Sequence, residues 1–360
     1  MLNTIDLFVG CGGLSEGFEQ SRKYKMIGAV EWEPSPVKEL RNHLKNRWGI
    51  QDSEERVLQF DIQRTEELFN GWKDKKFGES KGLDALVGNR QLDVIIGGPP
   101  CQAYSVAGRI RDEHGMREDY RNYLFESYLK VVQHYKPRVF VFENVPGILS
   151  AKPGDGSVRI IDLIQKAFAD AGYAVLPDLS NAIIDMTEYG VPQNRKRIII
   201  LGVSKEHYGD KAEAMVEKFY SSYLPEYKIE KKATVRDAIG DLPKLRPLDE
   251  PISYLGRKLS HSVSDPLING HISRFHNKRD IELFKFLEED IASGRMKYTS
   301  AKSLKTLYTK LTGKTSNVHK YYVLRWDEPS NLIPAHLFKD GLRHIHPDPE
   351  QARTITAVSY

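Results

Sequence analysis

The chain has 360 residues, of which 40% are hydrophobic and 28% charged, and its formal net charge is +4. This composition is ordinary for a soluble globular protein and leaves room for one large and one smaller core. No apolar run approaches the length of a membrane span, and the N-terminus has no signal-peptide pattern. The two cysteines, Cys11 and Cys101, exclude a disulfide framework and lack the spacing of metal ligands. We therefore predict a cytoplasmic protein with no bound metal and no membrane partner.

Short β-rich runs alternate with helical patterns through the first two hundred residues. This alternation predicts an α/β fold with a parallel, doubly wound, Rossmann-like sheet. The predicted strands cover residues 3–9, 25–31, 56–60, 93–97, 138–143, 174–177 and 197–203, and the predicted helices cover 13–20, 34–46, 120–135 and 158–171. Ligands of such a sheet bind at the carboxyl ends of its strands.

The alternation fades after about residue 205, where the chain becomes rich in Lys, Glu, Tyr and Pro. We predict a first domain over 1–205, a linker with a smaller, irregular domain over 206–335, and a segment over 336–360 that returns to the first domain. Residues 281–287 have a helical pattern. The stretch 293–325 has no acidic residue and contains Arg295, Lys297, Lys302, Lys305, Lys310, Lys314, Lys320 and Arg325. Such a stretch suits contacts with phosphates and base edges, and a solvated basic face is the alternative.

A glycine-rich turn follows the first predicted strand in the run Asp6-Leu7-Phe8-Val9-Gly10-Cys11-Gly12-Gly13. The glycines let the backbone come close to a bound nucleoside, although such turns also serve only to pack a strand on a helix. The dinucleotide fingerprint needs a third glycine at the place of Ser15. The sequence therefore argues against an NAD-dependent oxidoreductase.

Acidic residues end the next two strands. Glu31 is placed to accept both ribose hydroxyls of a nucleoside, and Trp32 beside it can stack on an adenine. Asp61 and Ile62 offer a carboxylate for an exocyclic amine and an apolar contact for a ring. Taken alone, Glu31 is equally well a surface carboxylate, and Asp61 is more often a helix N-cap.

Cys101 follows two glycines and two prolines at the end of the fourth strand, in a turn that the prolines make rigid. Most free cysteines are small buried hydrophobes. The loop after Cys101 contains the basic residues Arg109, Arg111, His114, Arg117 and Arg121. A basic environment lowers the pKa of a thiol. Glu143 ends the fifth strand at the same edge, and alternation along a later extended segment would put Arg195 and Arg197 on one face. Taken alone, Glu143 is more often a solvated carboxylate, and Arg195 and Arg197 are equally well basic residues at the start of a strand.

Together, the order and spacing of these signals resemble the cytosine-5 DNA methyltransferases, over residues 4–203 and again near 321–357. The residues that carry the resemblance are Asp6 to Phe8, Gly10, Gly12, Gly13, Glu31-Trp32, Asp61, Gly97 to Gln102, Ser105, Leu124-Phe125, Glu143-Asn144-Val145, Gln193, Arg195 and Arg197. The resemblance implies S-adenosylmethionine as the methyl donor and double-stranded DNA as the partner. It implies that the donor is bound by Phe8, Gly10, Gly12, Gly13, Glu31, Trp32, Asp61, Ile62, Pro100 and Leu124.

The resemblance also implies covalent catalysis on a cytosine that is rotated out of the duplex. Cys101 would add to carbon 6 of the base, and Glu143 would stabilise or supply the proton that this addition requires. Arg197 would contact O2, and Arg195 would brace the site or a phosphate. The basic loop would close over the extruded base, and the second domain corresponds to the family's target-recognition region. A restriction-modification enzyme, associated with the nucleoid if bacterial, is the expected setting.

The C-terminus departs from the family pattern. Arg353-Thr354-Ile355-Thr356 resembles the start of the penultimate family motif, and the sequence stops at Tyr360 before the rest of that motif and before the final one. We expect either a truncated product or a second polypeptide that supplies the missing part. Low activity of this chain alone is the corresponding expectation.

Two further interpretations are kept beside the main one. An RNA cytosine-5 methyltransferase on the same fold is disfavoured by the large basic second domain. A catalytically incompetent DNA-binding subunit is disfavoured because Cys101, Glu143 and Arg197 occur together, and a binding module has no need of a nucleophile.

Overall fold

The computed structural model describes residues 1–100, 123–152, 157–315, 321–333 and 341–357. The chain divides into two compact units, Met1–Ile184 with Lys196–Tyr227, and Asp185–Arg195 with Lys228–Tyr360. Over the described ranges, no helix is both long enough and apolar enough to cross a bilayer.

One large sheet forms the first unit. The strands of the described residues are β1 Leu2–Leu7, β2 Tyr24–Glu31, β3 Val57–Gln59, β4 Trp72–Asp74, β5 Gly78–Ser80, β6 Val94–Gly97, β7 Val139–Asn144, β8 Tyr173–Ala174, β9 Ile183–Asp185, β10 Lys196–Ser204, β11 Pro247–Tyr254 and β12 Arg257–His261. The large sheet has the strand order β3-β2-β1-β6-β7-β10-β8, and β9 also pairs with β10. The pairs β4–β5 and β11–β12 are separate two-stranded ribbons.

The sheet is parallel from β3 to β7, as predicted, but its far edge is antiparallel. Strand β10 runs antiparallel to both β7 and β8. A parallel connection needs a crossover of a dozen or more residues, usually a helix. Between β8 and β10 the chain forms the short 3₁₀ turns Leu179–Ala182 and Met186–Tyr189 and the short strand β9, with no α-helix. The predicted Rossmann-like α/β fold is confirmed, and its parallel sheet has an antiparallel edge at β10.

Helices cover the sheet and build part of the second unit. Over the described residues they are α1 Gly13–Gln20, α2 Pro34–Trp48, α3 Ser53–Arg56, α4 Thr65–Asn70, α5 Gly82–Val87, α6 Leu124–Tyr135, α7 Ile160–Asp170, α8 Lys205–Tyr208, α9 Lys211–Lys218, α10 Val235–Ile239, α11 Lys278–Ala292 and α12 Ala301–Thr312. The four predicted helices are all present: α1 has the predicted bounds, and the other three have shifted ends. Helix α2 continues to Trp48 because the chain leaves it only at Gly49, which adopts a φ of 67°.

The two units differ from the predicted domain boundaries. The first unit extends to Tyr227 rather than residue 205, because Ala212 and Val216 of α9 are buried in the same apolar core as the sheet. Residues 185–195 belong to the second unit, where the amide of Asn194 donates to the carbonyl of Ser330 at 2.8 Å.

The segment 341–357 also lies in the second unit instead of returning to the first. The fully buried Arg353 donates to the carbonyl of Thr354 at 3.0 Å. The Nε2 of His276 accepts from the amide of Thr354 at 3.3 Å. Burial lowers the pKa of His276 to about 3, so this ring stays neutral and can accept that bond. Buried hydrogen bonds of this kind hold the segment in the second unit.

Helices α11 and α12 form an apolar core of the second unit through Phe284, Leu287, Leu304 and Leu307. Helix α11 contains the predicted helical residues 281–287. Helix α12 was not predicted, although Ser300 caps its start by accepting from the amide of Ser303.

Candidate functional site

The carboxyl ends of the parallel strands β1, β2, β3 and β6 meet at one edge of the first unit, where ligands of such sheets bind. A cavity of about 290 Å³ opens at this edge. It is lined by Phe8, Val30, Glu31, Trp32, Glu33, Phe60, Asp61, Ile62, Gln63, Gly98, Pro100 and Leu124. The predicted donor-binding residues among them are Phe8, Glu31, Trp32, Asp61, Ile62, Pro100 and Leu124.

Glu31 is the polar anchor of the cavity. Its Oε2 accepts from the amide of Gly10 at 2.8 Å, and its Oε1 accepts from the amides of Trp32 at 2.8 Å and Glu33 at 2.9 Å. A carboxylate has about four lone-pair sites. Three amide bonds therefore fix the Glu31 carboxylate, tie the glycine-rich turn to the end of β2, and leave room for a further donor.

The glycine-rich turn needs backbone conformations that few side chains adopt. Gly10 and Gly12 have φ values of 56° and 89°, and Phe8, which lines the cavity, has 58°. A side chain at Gly12 would also come within 2.6 Å of Leu40 Cδ1. The predicted residues Gly10, Gly12 and Gly13 shape the turn and the start of α1, and the cavity wall is formed by other residues.

Ser15, at the place of the third fingerprint glycine, donates its hydroxyl to Oδ2 of Asp6. Both residues are buried. Burial raises the pKa of Asp6 to about 7, and the bonds from Ser15 oppose that rise. This pair accounts for the serine at a position where a dinucleotide-binding turn has glycine.

Asp61 follows β3 at the cavity and does not cap the next helix. Helix α4 begins only at Thr65. The Oδ1 of Asp61 instead accepts from the amide of Gln63 at 3.0 Å, which closes a local turn. The alternative interpretation of Asp61 as a helix N-cap is therefore wrong.

Trp32 belongs to an aromatic wall that includes the ribbon β4–β5, which was not predicted. The ring of Phe77 lies edge-to-face against Trp32 and Phe60, with centroid distances of 5.6 and 5.3 Å. The Nζ of Lys76 lies 3.9 Å from the centroid of the Trp32 ring. At this distance the ammonium group attracts the ring face.

Charged residues outside the cavity fix the turn of this ribbon. Asp74 Oδ1 accepts from the amides of Lys76 at 2.6 Å and Phe77 at 3.1 Å. The other oxygen, Oδ2, pairs with Arg64 at 2.7 Å, and hydrogen bonding to Arg64 lowers the pKa of Asp74. Lys76 and Phe77 are thus held beside Trp32.

Glu143 and Arg197, on the neighbouring strands β7 and β10, form an ion pair. Arg197 Nε lies 2.6 Å from Glu143 Oε1, and the two side chains are only 12% and 22% exposed. A Cβ at Gly98, a residue that lines the cavity, would come within 2.7 Å of Glu143 Oε2. Glycine at this position therefore makes room for the Glu143 carboxylate directly against the cavity wall.

Asn144 holds the segment that leads to Cys101. It is fully buried, its Nδ2 donates to the carbonyl of Pro99 at 3.2 Å, and its Oδ1 accepts from the amide of Val145 at 2.8 Å. These bonds fix Pro99 relative to the end of β7. Asn144 was recognised from the sequence as part of a family motif but had no predicted role, because its bond to Pro99 spans 45 positions of the chain.

The predicted nucleophile Cys101 lies outside the described residues, as do Gln102, Ser105 and the basic-loop residues Arg109, Arg111, His114, Arg117 and Arg121. The described chain before it ends at Pro100, in the cavity wall. The other cysteine, Cys11, is exposed. Partial desolvation and then the carboxylates of Glu39 and Glu31 raise the pKa of Cys11, which disfavours its reactive thiolate.

Arg195 is not part of the strand that carries Arg197. Strand β10 begins at Lys196, and Arg195 belongs to the second unit, where its carbonyl accepts from the amide of Met186 at 2.9 Å.

Several cavity residues were missed as site residues: Val30, Glu33, Phe60, Gln63 and Gly98. The first four directly flank the predicted pairs at 31–32 and 61–62. Extending each predicted pair by one residue on both sides would have found them. Gly98 was recognised only as part of a motif.

Residues 2–357 match the family model described as C-5 cytosine-specific DNA methylase. This match spans nearly the whole chain, and the chain therefore belongs to that family of enzymes, which confirms the family and the enzyme class expected from the sequence. The type II methyltransferase M.Bpa9945I of Bacillus paralicheniformis is 32% identical, over 98% of this chain and 88% of the relative. Type II methyltransferase M.AgeI of Thalassovita gelatinovora is 28% identical, over 96% and 87%.

A crystal structure of a prophage-encoded E. coli protein, described as a candidate DNA modification methyltransferase, has a similar fold. The two share 21% identity and a TM-score of 0.58, over 100% of this chain and 87% of the other. The likeness agrees with the Rossmann-like α/β fold of the first unit.

Proposed function

We propose that this chain transfers a methyl group from S-adenosylmethionine to carbon 5 of a cytosine rotated out of a specific duplex DNA sequence. The observation that carries the proposal is the position of Glu143. Gly98 lines the cavity and also packs against the Glu143 carboxylate. A base that contacts Glu143 would therefore lie next to a donor in the cavity.

The residues of the cavity fit S-adenosylmethionine. Glu31 and Asp61 offer carboxylate acceptors for hydroxyl and amine groups, and Trp32 offers an aromatic face for a purine. In line with the family resemblance, Glu31 would bind the ribose hydroxyls and Asp61 the adenine amine, while Pro100 and Leu124 complete the pocket. When bound, S-adenosylmethionine supplies an electrophilic methyl group.

The protein must make carbon 5 of cytosine nucleophilic. The thiolate of Cys101 forms a bond to carbon 6, and the π electrons shift towards N3, which takes a proton held by Glu143. The resulting enamine gives carbon 5 the electron density it needs to accept the methyl group. Loss of the carbon 5 proton to a base then expels Cys101 as a thiolate, and N3 returns its proton to Glu143.

Arg197 orients this chemistry. Its ion pair fixes the Glu143 carboxylate against the cavity wall. The remaining N–H groups of the guanidinium suit the O2 of the same base. In line with the family resemblance, Arg195 would brace the site or bind a phosphate.

The second unit supplies a basic surface for DNA in this proposal. Helix α12 contains no acidic residue and buries Leu304 and Leu307, while Lys302 and Lys310 are exposed. Exposed lysines along one helix suit contacts with the phosphate backbone. This surface would hold the duplex while the target-recognition residues read its bases.

The relatives M.Bpa9945I and M.AgeI are named type II methyltransferases. We propose the same role for this chain, as the modification enzyme of a restriction-modification system. If the source is bacterial, it would act on DNA at the nucleoid.

The proposal is tested by incubating the chain with labelled S-adenosylmethionine and either plasmid DNA or transfer RNA. We expect label in the DNA alone, and bisulfite sequencing should locate 5-methylcytosine in one recurring sequence. Label only in RNA contradicts the proposal, and so does the absence of 5-methylcytosine from the DNA of cells that express the natural gene.

A further inference from the structure

The ribbon β11–β12 in the second unit ends in an unusual turn. Tyr254 pairs with Arg257, so Leu255 and Gly256 are the two central residues of the turn. Their φ values are 49° and 71°. Positive φ at both central residues is the pattern of a type I′ turn, in which Asn-Gly and Asp-Gly are strongly preferred. A leucine at the first of these positions is therefore unfavourable for the free backbone.

The exposure of the Leu255 side chain to solvent is also unfavourable. Its side chain is 77% exposed, the highest value of any leucine in the described part of the chain. A residue with both a strained backbone and an exposed apolar side chain gains nothing from the fold itself. Strain of this kind is typical of positions that serve a binding partner.

The base of the ribbon is anchored, so the turn is presented on a firm support. Leu259, Ser260 and His261 of β12 are buried. The Oγ of Ser260 accepts from the amide of His276 at 2.9 Å, and Nε2 of His261 lies 2.9 Å from the carbonyl oxygen of Gln351. The exposed turn and the buried base are thus parts of one rigid element.

The charges of the ribbon are separated along its length. Arg257 and Lys258 are exposed next to the turn. The acidic residues of the ribbon, Asp249 and Glu250, lie on β11 away from the turn, and Glu250 pairs with Lys278 at 3.2 Å. The end that carries Leu255 is therefore basic, which favours a polyanion over an acidic or neutral protein surface.

We propose that the ribbon β11–β12 enters the major groove of the DNA substrate and places Leu255 against base edges, with Arg257 and Lys258 at the flanking phosphates. A two-stranded β-ribbon fits the major groove, where apolar side chains contact thymine methyl groups. This inference rests on the proposed function, since it takes DNA as the partner.

The test uses the full chain with Leu255→Asn. Asparagine followed by glycine is a preferred type I′ sequence, so this variant should fold at least as stably as the wild type while it lacks the apolar tip. Leu267→Asn is the matched control, because Leu267 is another exposed leucine of the second unit, at 56%. Binding is measured by fluorescence anisotropy on a labelled duplex that carries the sequence methylated by the wild type. If the wild type methylates no DNA sequence, labelled restriction fragments of a plasmid serve as the probe.

We expect Leu255→Asn to raise the Kd for this duplex by about tenfold, the equivalent of burying one leucine side chain. Its melting temperature should be equal to or above that of the wild type, and Leu267→Asn should bind as the wild type does. Equal binding by Leu255→Asn and the wild type, or equal losses in both variants, would overturn the inference. Because binding needs no chemistry, a wild type that binds DNA without methylating it counts against the proposed function and not against the ribbon.

Discussion

The Nε of Arg197 lies 2.6 Å from Oε1 of Glu143, across the only antiparallel contact that β7 makes in the described sheet. The pair is mostly buried, and the other carboxylate oxygen of Glu143 packs against Gly98. Both oxygens of Glu143 are therefore held in place before any base arrives. In the proposed reaction this fixed carboxylate sets the position of N3 of the target cytosine.

Replacement of Arg197 by methionine should lower kcat by about 100-fold or more, because a small misplacement of a catalytic group has this effect. Donor binding should change little, since Arg197 does not line the cavity. Arg159→Met is the control, because Arg159 forms a comparable ion pair with Asp162 at 2.6 Å in an exposed place. Steady-state methylation and calorimetric binding of S-adenosylhomocysteine measure the two effects. A normal kcat in Arg197→Met contradicts the role given to the pair.

Asn144 should prove as important as the residues that were predicted to be catalytic. Asn144→Leu keeps the size of the side chain and removes both bonds, so Pro99 loses its link to β7. We expect kcat to fall by about 100-fold through displacement of Cys101. The KM for DNA should remain within about threefold of the wild type. A variant with wild-type kcat would show that the bond to Pro99 does not position the nucleophile.

The contact between Lys76 and Trp32 should contribute to donor binding. A cation on an aromatic face at an exposed site is worth about 0.5–1 kcal/mol. Lys76→Met keeps most of the aliphatic chain and removes the charge, and it should raise the Kd for S-adenosylhomocysteine by about two- to fivefold. Lys76→Arg should restore binding. Lys75→Met, at the exposed neighbouring position, is the control. If both methionine variants bind alike, Lys76 has no part in the donor site.

Much of the cavity could be predicted because two of its carboxylates, Glu31 and Asp61, lie at or just after the ends of apolar strands. Glu31 and Asp61 are adjacent to β2 and β3 in the chain, and parallel strands bring their carboxyl ends to one edge. The ribbon that carries Lys76 could not be predicted in this way. Its strands, β4 and β5, have three residues each, too few for a periodic pattern.

The direction of β10 and the role of Asn144 depended on contacts that are distant in sequence. An apolar run such as Ile198–Leu201 predicts a buried strand, but it does not indicate whether that strand runs parallel or antiparallel to its neighbours. The antiparallel direction follows from the connection before it, which has no crossover helix. The location of 341–357 in the second unit likewise depends on buried polar contacts such as that between Thr354 and His276.

Asp6 should make the stability of the first unit depend on pH. Burial raises its pKa from 3.8 to about 7 in the folded chain. Between these values the folded state holds a proton that the unfolded state has released, so stability is lost as the pH rises through this window. In Asp6→Asn, whose amide oxygen can still accept from Ser15, this loss should be absent. Urea unfolding between pH 5 and pH 7 should show the wild type losing about 1 kcal/mol per pH unit relative to the variant, with no further loss above pH 8. Parallel pH profiles for the two proteins would contradict the raised pKa.

In the proposed reaction, Cys101 becomes covalently bonded to the target cytosine. Duplex DNA that contains 5-fluorocytosine in the methylated sequence should trap this bond, because fluorine cannot leave carbon 5 as a proton does. In the presence of S-adenosylmethionine, we expect a denaturation-resistant complex in which mass spectrometry maps the link to Cys101. Cys11→Ala should form the same complex and Cys101→Ala none. A complex that persists in Cys101→Ala, or none in a wild-type chain that methylates the normal duplex, would contradict the account.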